Sequence, residues 1–242
     1  MAERVFKLTV VRHGETEANS RGIIQGHTDC PLSNIGRQQA DLLGKRLSGS
    51  KFTHLFSSDL KRARQTMDAV VLANISDVEV IEDRRLRERN YGVHEGITFS
   101  ELRKVCKRKH IGMENIKDGP DAEDTKDLYS RVVSFYNYLF KALMDFATSN
   151  ETLLPIVDCN DVNHSDQVMQ VNASILITTH GGLIRQMLRY FNSELGCNLL
   201  YDDIRKCSPN TGVSTFLIRI RNHDCKILVQ RLELHSERHL KA

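Results

Sequence analysis

Short apolar runs alternate with helix-patterned stretches along this chain. That alternation predicts an α/β protein, a three-layer sandwich whose mainly parallel central sheet is covered by helices on both faces. Two further observations support it. The 242 residues suffice for one large α/β domain with a sizeable core. Arg12-His13-Gly14-Glu15 and Thr179-His180-Gly181-Gly182 each follow an apolar run directly, where an open α/β sheet binds its ligands.

The elements are expected in this order. Residues 5–11 form a β-rich run bounded by charge. Ser33 is placed as the N-cap of a helix through Leu47, with Leu42, Leu43 and Leu47 on its apolar face. Residues 53–56 read as a strand, and Asp59 as the cap of a second helix to about Leu72. Residues 78–81 read as a strand, and Thr98 as the cap of a basic helix to about Lys109. Leu128, Val132, Phe135, Leu139 and Leu143 step by four, three, four and four, which is one face of a helix. Residues 174–178 are a buried strand, 183–191 a helix, and 213–220 and 226–234 two closing strands. The whole reads as a single domain over 1–242. Polar, turn-rich stretches near 111–125 and 148–171 are expected to be loop or lid inserts. His235 and His239 have metal-like spacing but read as a frayed tail.

Composition excludes several classes. No apolar run approaches the ~20 residues of a membrane span. Residues 1–12 lack the apolar core and cleavage site of a signal peptide, so a cytoplasmic address is the default. The six cysteines include no C-x-x-C pair and read as free thiols. Glycosylation triplets at Asn74, Asn150, Asn163 and Asn172 mean nothing without a secretory route. A net charge of +3 is too small to argue for nucleic acid.

The chemistry lies in the two histidine motifs. Gly14 permits close backbone approach, Arg12 offers a fork that fits phosphate, and a neutral His13 is a nucleophile. Parallel strands would bring His13 and His180 to one sheet edge, flanking one phosphoryl group.

Four more blocks accompany these motifs. They are Pro31-Leu32-Ser33-Asn34-Ile35-Gly36-Arg37-Gln38-Gln39-Ala40, Ser57-Ser58-Asp59-Leu60-Lys61-Arg62-Ala63-Arg64-Gln65-Thr66, Leu86-Arg87-Glu88-Arg89-Asn90-Tyr91-Gly92 and the Asn19 that completes R-H-G-E-x-x-x-N. Together they resemble the histidine phosphatase, or phosphoglycerate mutase-like, superfamily across most of the chain. Softer pointers, Phe52-Thr53-His54 and Pro209-Asn210-Thr211-Gly212 among them, are similar to its TIGAR branch of fructose-2,6-bisphosphatases.

The resemblance implies roles. His13 attacks phosphorus, Arg12, Arg62 and His180 surround the transferring group, and Glu88 serves as acid and then base. Asn19, Gln25, Gly26, Tyr91 and Arg185 are implied to bind substrate. No metal or other cofactor is implied. The expected partner is a small phosphorylated metabolite, without nucleic acid. The implied reaction removes the 2-phosphate of fructose 2,6-bisphosphate and so restrains glycolysis. The alternatives are a histidine phosphatase of broad range acting on esters such as 2,3-bisphosphoglycerate, a mutase, or a non-catalytic scaffold. Relatives carry G-G-E-[ST] where this chain has Gly119-Pro120-Asp121-Ala122-Glu123-Asp124-Thr125, so the pocket loop is expected to differ. Arg103, Lys104, Lys107, Arg108 and Lys109 read as a solvated face or as a basic rim attracting a bisphosphate, with Arg89 as a further cation for it.

Overall fold

The computed structural model describes residues 3–150, 152–155 and 170–241. A six-stranded sheet has the order β3 (Val80–Glu82), β2 (His54–Ser57), β6 (Ala173–Thr179), β1 (Glu3–Arg12), β7 (Val213–Arg221), β8 (Ile227–Ser236). The pairings β2–β3, β2–β6 and β1–β6 are parallel. The two closing strands run antiparallel to their neighbours. The sheet is therefore mixed and mainly parallel. A short pair, β4 (Leu154–Pro155) and β5 (Gln170–Val171), stands apart from it.

Period-2 alternation explains the layers. In β1, Phe6, Leu8 and Val10 enter the larger core with α5 (Thr125–Ser149) and α6 (Gly181–Ser193). On the other face Val11, Leu55 and Leu176 pack with Leu43 and Leu47 of α2 (Asn34–Leu47) and Met67 and Val70 of α3 (Lys61–Ala73). Each fully buried large apolar side chain contributes about 1.5–3 kcal/mol relative to exposure. A third, smaller core of Ile24, Leu102, Cys106 and Ile116 anchors α4 (Phe99–Arg108).

Caps account for the helix starts. Ser33 Oγ accepts from Gly36 N, and Thr98 with Glu101 forms a capping box. Asp59, however, does not cap α3. The helix starts after Leu60 with no side-chain cap, and both Asp59 oxygens bind Arg87, at 2.7 and 2.6 Å. A bidentate guanidinium is a stronger partner for a carboxylate than one N–H.

The α5 helix is longer than its apolar stripe. Asp124 caps it, accepting from Lys126 N and Asp127 N, and it continues to Ser149, so both polar stretches lose residues to it. In the remainder of 111–125, Ile116 and Ala122 are buried and Thr125 N bonds Glu114 O. Residues 156–169, with Cys159 and Asn163, lie outside the described residues. The chain end is no tail: His235 is buried in β8 and His239 is buried beyond it. The other five cysteines are free thiols. None of the described helices is long and apolar enough to cross a membrane.

Candidate active site

The site lies where three neighbouring strands end. In register, Arg12 of β1 is opposite Thr179 of β6, and Ser57 of β2 opposite Thr178. His13 N bonds Thr179 O at 2.9 Å and Ser58 N bonds Thr178 O at 3.0 Å. Backbone pairing thus delivers Ser58, His180 and His13 side by side. The imidazole centroids are 5.1 Å apart. Gly14 is required: a Cβ there would stand 2.6 Å from Gly36 O.

Hydrogen bonds assign the His13 tautomer. Nδ1 lies 2.7 Å from Gly14 O, and a carbonyl only accepts, so Nδ1 carries the proton in the neutral ring and Nε2 keeps the lone pair. His180 Nε2 lies 2.8 Å from Ser58 Oγ, while its Nδ1 is buried without a partner. Burial first, then the charge of Arg62, pushes both imidazoles well below the ordinary histidine pKa. Both rings are therefore neutral at pH 7.

Arg62 is 1% exposed at the start of α3, not a solvated helix arginine. Its Nη1 donates to Thr28 O and its Nη2 to Gly26 O, at 2.9 and 2.8 Å. Arg12 Nη1 donates to Ser208 O at 2.8 Å. Arg12 Nε and Arg62 Nε are buried without hydrogen-bond partners, as is His180 Nδ1. Unsatisfied buried donors are rare, and here three belong to side chains coupled electrostatically around His13. That arrangement suits an anion.

Glu88 joins them through the backbone. Its Oε2 accepts from Gly182 N and its Oε1 from Arg89 N, both at 2.8 Å. Arg131 Nη2 fastens Glu88 O and pairs with Glu123. The other carboxylates have other partners: Glu82 pairs with Arg64, Glu95 braces His27 and Thr28, and Glu101 serves the α4 cap. Tyr91 lies close enough to feel the charges of Glu88 and Arg185, and burial pushes its phenol up to about 12.

Other sequence-derived residues serve the loop first. Asn19 Oδ1 accepts from Thr16 N and Asn210 Nδ2, and Gln25 Oε1 accepts from Thr16 Oγ1 and Cys30 Sγ. Gly26 has φ +51, and a Cβ there would meet Glu95 Oε1 at 2.0 Å. Arg89 is not a free cation: it is 5% exposed and bonds Glu123 O, Met113 O and Ile116 O. Each guanidinium nitrogen donates to one of these carbonyls, so Arg89 fastens the 113–123 segment. Just beyond it Asp124 supplies the α5 cap, and Glu123 pairs with Arg131. Asp121, at φ +60, sits in the left-handed region that a glycine would favour.

Four residues support the site without a sequence assignment: Ser58, Arg131, Asn210 and Thr66, whose Oγ1 accepts from Gly14 N at 2.9 Å. Ser58 and Thr66 stand inside a recognised block. Asn210 stands in the Pro209–Gly212 pointer, but nothing local marks its contact 197 positions away, and Arg131 carries no signal for its contact 43 positions away. A cavity of about 600 Å3 lies elsewhere, between Lys45, Arg46, Phe52, Thr215, Glu233 and His239. It contains neither paired histidine, so side-chain chemistry, not size, locates the site. Among the described residues no three His, Cys, Asp or Glu side chains group as a metal site would require.

One consequence concerns pH. An unfolded histidine binds a proton below about pH 6.5, whereas the buried His13 does not until pH falls further. Stability is therefore expected to fall as pH drops through that window. In denaturant titrations from pH 7 to 5, His13→Asn should remove about one proton from the uptake that accompanies unfolding. Equal uptake in both chains would mean that His13 is already protonated in the folded state.

The family model described as histidine phosphatase superfamily (branch 1) matches residues 8–145. The fructose-2,6-bisphosphatase TIGAR of Xenopus tropicalis is 35% identical over 242 residues, covering 89% of this chain and 87% of that protein. Phosphoglycerate mutase-like protein 4 of Arabidopsis thaliana is 45% identical over 186 residues, covering 75% and 69%. The crystal structure of phosphoglycerate mutase from Bacillus anthracis superposes with a TM-score of 0.73 at 20% identity, covering 99% and 96%.

Proposed function

The chain belongs to the histidine phosphatase superfamily, and from that premise we propose that it hydrolyses phosphate esters through a phosphohistidine on His13. The observation that carries this reading is the buried pair of neutral imidazoles among the unpartnered donors of Arg12 and Arg62. His13 Nε2 attacks phosphorus in line with the leaving alkoxide. Arg12, Arg62 and His180 Nδ1–H hold the equatorial oxygens. Ser58 Oγ, 2.8 Å from His180 Nε2, holds the ring; with that hydroxyl as the donor, Nδ1 carries the proton that the phosphoryl oxygen accepts. Glu88 protonates the alkoxide, then takes a proton from the water that attacks the phosphohistidine and releases phosphate.

Gly182 tests the placement of Glu88. A Cβ at 182 would lie 2.2 Å from Glu88 Oε1, the mobile end of a side chain. Gly182→Ala is therefore expected to leave the unfolding midpoint nearly unchanged while lowering kcat on alkyl phosphates about tenfold or more. An unchanged kcat would remove Glu88 from the reaction.

The substrate proposed is fructose 2,6-bisphosphate, cleaved at the 2-phosphate, with restraint of glycolysis in the cytoplasm as the consequence. The extent of similarity to the TIGAR relatives supports it. With Arg89 buried, the cations left for a second phosphate are Arg185, half-buried near Tyr91, and the exposed residues of α4. If α4 attracts it, kcat/KM for the bisphosphate should fall with salt more steeply than for a monophosphate, the Debye length being about 10 Å at 0.1 M. Neutralising Lys104 and Arg108 should flatten that slope. Equal slopes and equal kcat/KM for monophosphates would leave a histidine phosphatase of broad range.

A further inference from the structure

The loop 207–212 holds the Arg12–His13 segment from three sides. Thr211 N donates to Arg12 O at 3.0 Å and to His13 O at 3.3 Å. Asn210 Nδ2 donates to His13 O at 3.0 Å, and Ser208 O receives Arg12 Nη1. Yet Thr211 is fully buried at φ +55. A β-branched residue in the left-handed region is a genuine outlier, and it persists only where its surroundings over-determine it.

What over-determines it comes from the end of the chain. His239 Nε2 lies 3.0 Å from Thr211 Oγ1, and its Nδ1 lies 3.3 Å from Arg46 Nη1. The protons can be followed. A guanidinium only donates, so Nδ1 accepts and Nε2–H donates to Thr211 Oγ1. The threonine hydroxyl then donates to Asn210 O at 2.8 Å. Arg46 is itself held by Glu233, at 2.6 Å. His239 must be neutral for this relay, and burial, then the Arg46 charge, lowers its pKa to about 4.

We propose that His239 is a positioning residue for phosphoryl transfer: acting through Thr211, it holds the strained 210–212 turn that aligns Arg12 and His13. The inference rests on the reading of His13 as nucleophile, but the hydrogen bonds that carry it do not.

The test uses variants of the full chain assayed on an aryl phosphate. His239→Ala is expected to lower kcat about ten- to a hundredfold, with a smaller change in KM, because the anion-binding side chains remain while their alignment is lost. His239→Gln, whose amide can still donate to Thr211 Oγ1, should recover most of that loss. Thr211→Val, without the hydroxyl, should match His239→Ala, and the double variant should lose little more than either alone. The proposal is overturned if His239→Ala keeps kcat within about twofold, if Gln does no better than Ala, or if the two single losses multiply. Should His239→Ala fail to fold, Thr211→Val against Thr211→Ser makes the same comparison. The 1H–15N signals of the His13 amide and ring separate the two readings. If they move in His239→Ala while the unaltered chain releases no phosphate, His239 still holds the turn that aligns Arg12 and His13, and it is the phosphatase reading that falls. If they do not move, positioning falls.

Discussion

Replacing His13 by alanine is expected to lower phosphate release by a factor on the order of 10⁴–10⁶, the range found when a nucleophile that acts as part of a unit is removed. The expectation follows from the tautomer. The Gly14 carbonyl fixes the proton on Nδ1, so the Nε2 lone pair is the reactive one. Burial and the two guanidiniums keep that ring neutral. Two other nucleophilic side chains lie near. Ser58 is engaged with His180, and Cys207 is exposed, 3.6 Å from Arg12 Nη1. Rapid quenching without acid, followed by peptide mapping, should place labelled phosphate on His13. Label on Ser58 or Cys207 would overturn the phosphohistidine mechanism while leaving a phosphatase.

Glu88→Gln is expected to cost about 10²–10⁴ in rate on alkyl phosphates, whose leaving groups need a proton. An aryl phosphate with a stable leaving group should lose less in its first step. Gln keeps one carbonyl oxygen for the N–H groups of Arg89 and Gly182 and loses the other acceptor, and because the side chain is only half-buried the fold should survive that one lost bond. Glu101→Gln is the control. Glu101 is exposed in a helix cap, so the change should leave both substrates within about twofold of the starting rate. Equal losses on the two substrate types in Glu88→Gln would reassign Glu88 to binding or folding.

Much of this was legible before the fold. The steps of Leu128, Val132, Phe135, Leu139 and Leu143 report a helix because a 3.6-residue period buries one stripe, and all five are buried in α5. Ser33 and Thr98 announce helix starts because their caps are satisfied within three residues. The two strand–His–Gly motifs mark neighbouring strand ends because parallel pairing brings both carboxyl ends to one edge.

Longer-range partners were not legible. Asp59 looks like a cap in sequence, but Arg87, 28 positions on, is the partner it takes. Arg89 looks like a free cation beside Glu88, but the 113–123 segment folds over it and satisfies it with carbonyls. His239 looks like a tail, but α2 and the 210–212 turn enclose it. By itself the sequence determined the order of the main elements and the layers, since periodicity, caps and contiguous motifs are satisfied within a turn or a strand. Only the tertiary structure decided which charged side chains gather around His13 and His180 and which brace the neighbouring loops. A charged group's partner is chosen by geometry and burial, and residues that meet across 28 to 197 positions leave no local pattern.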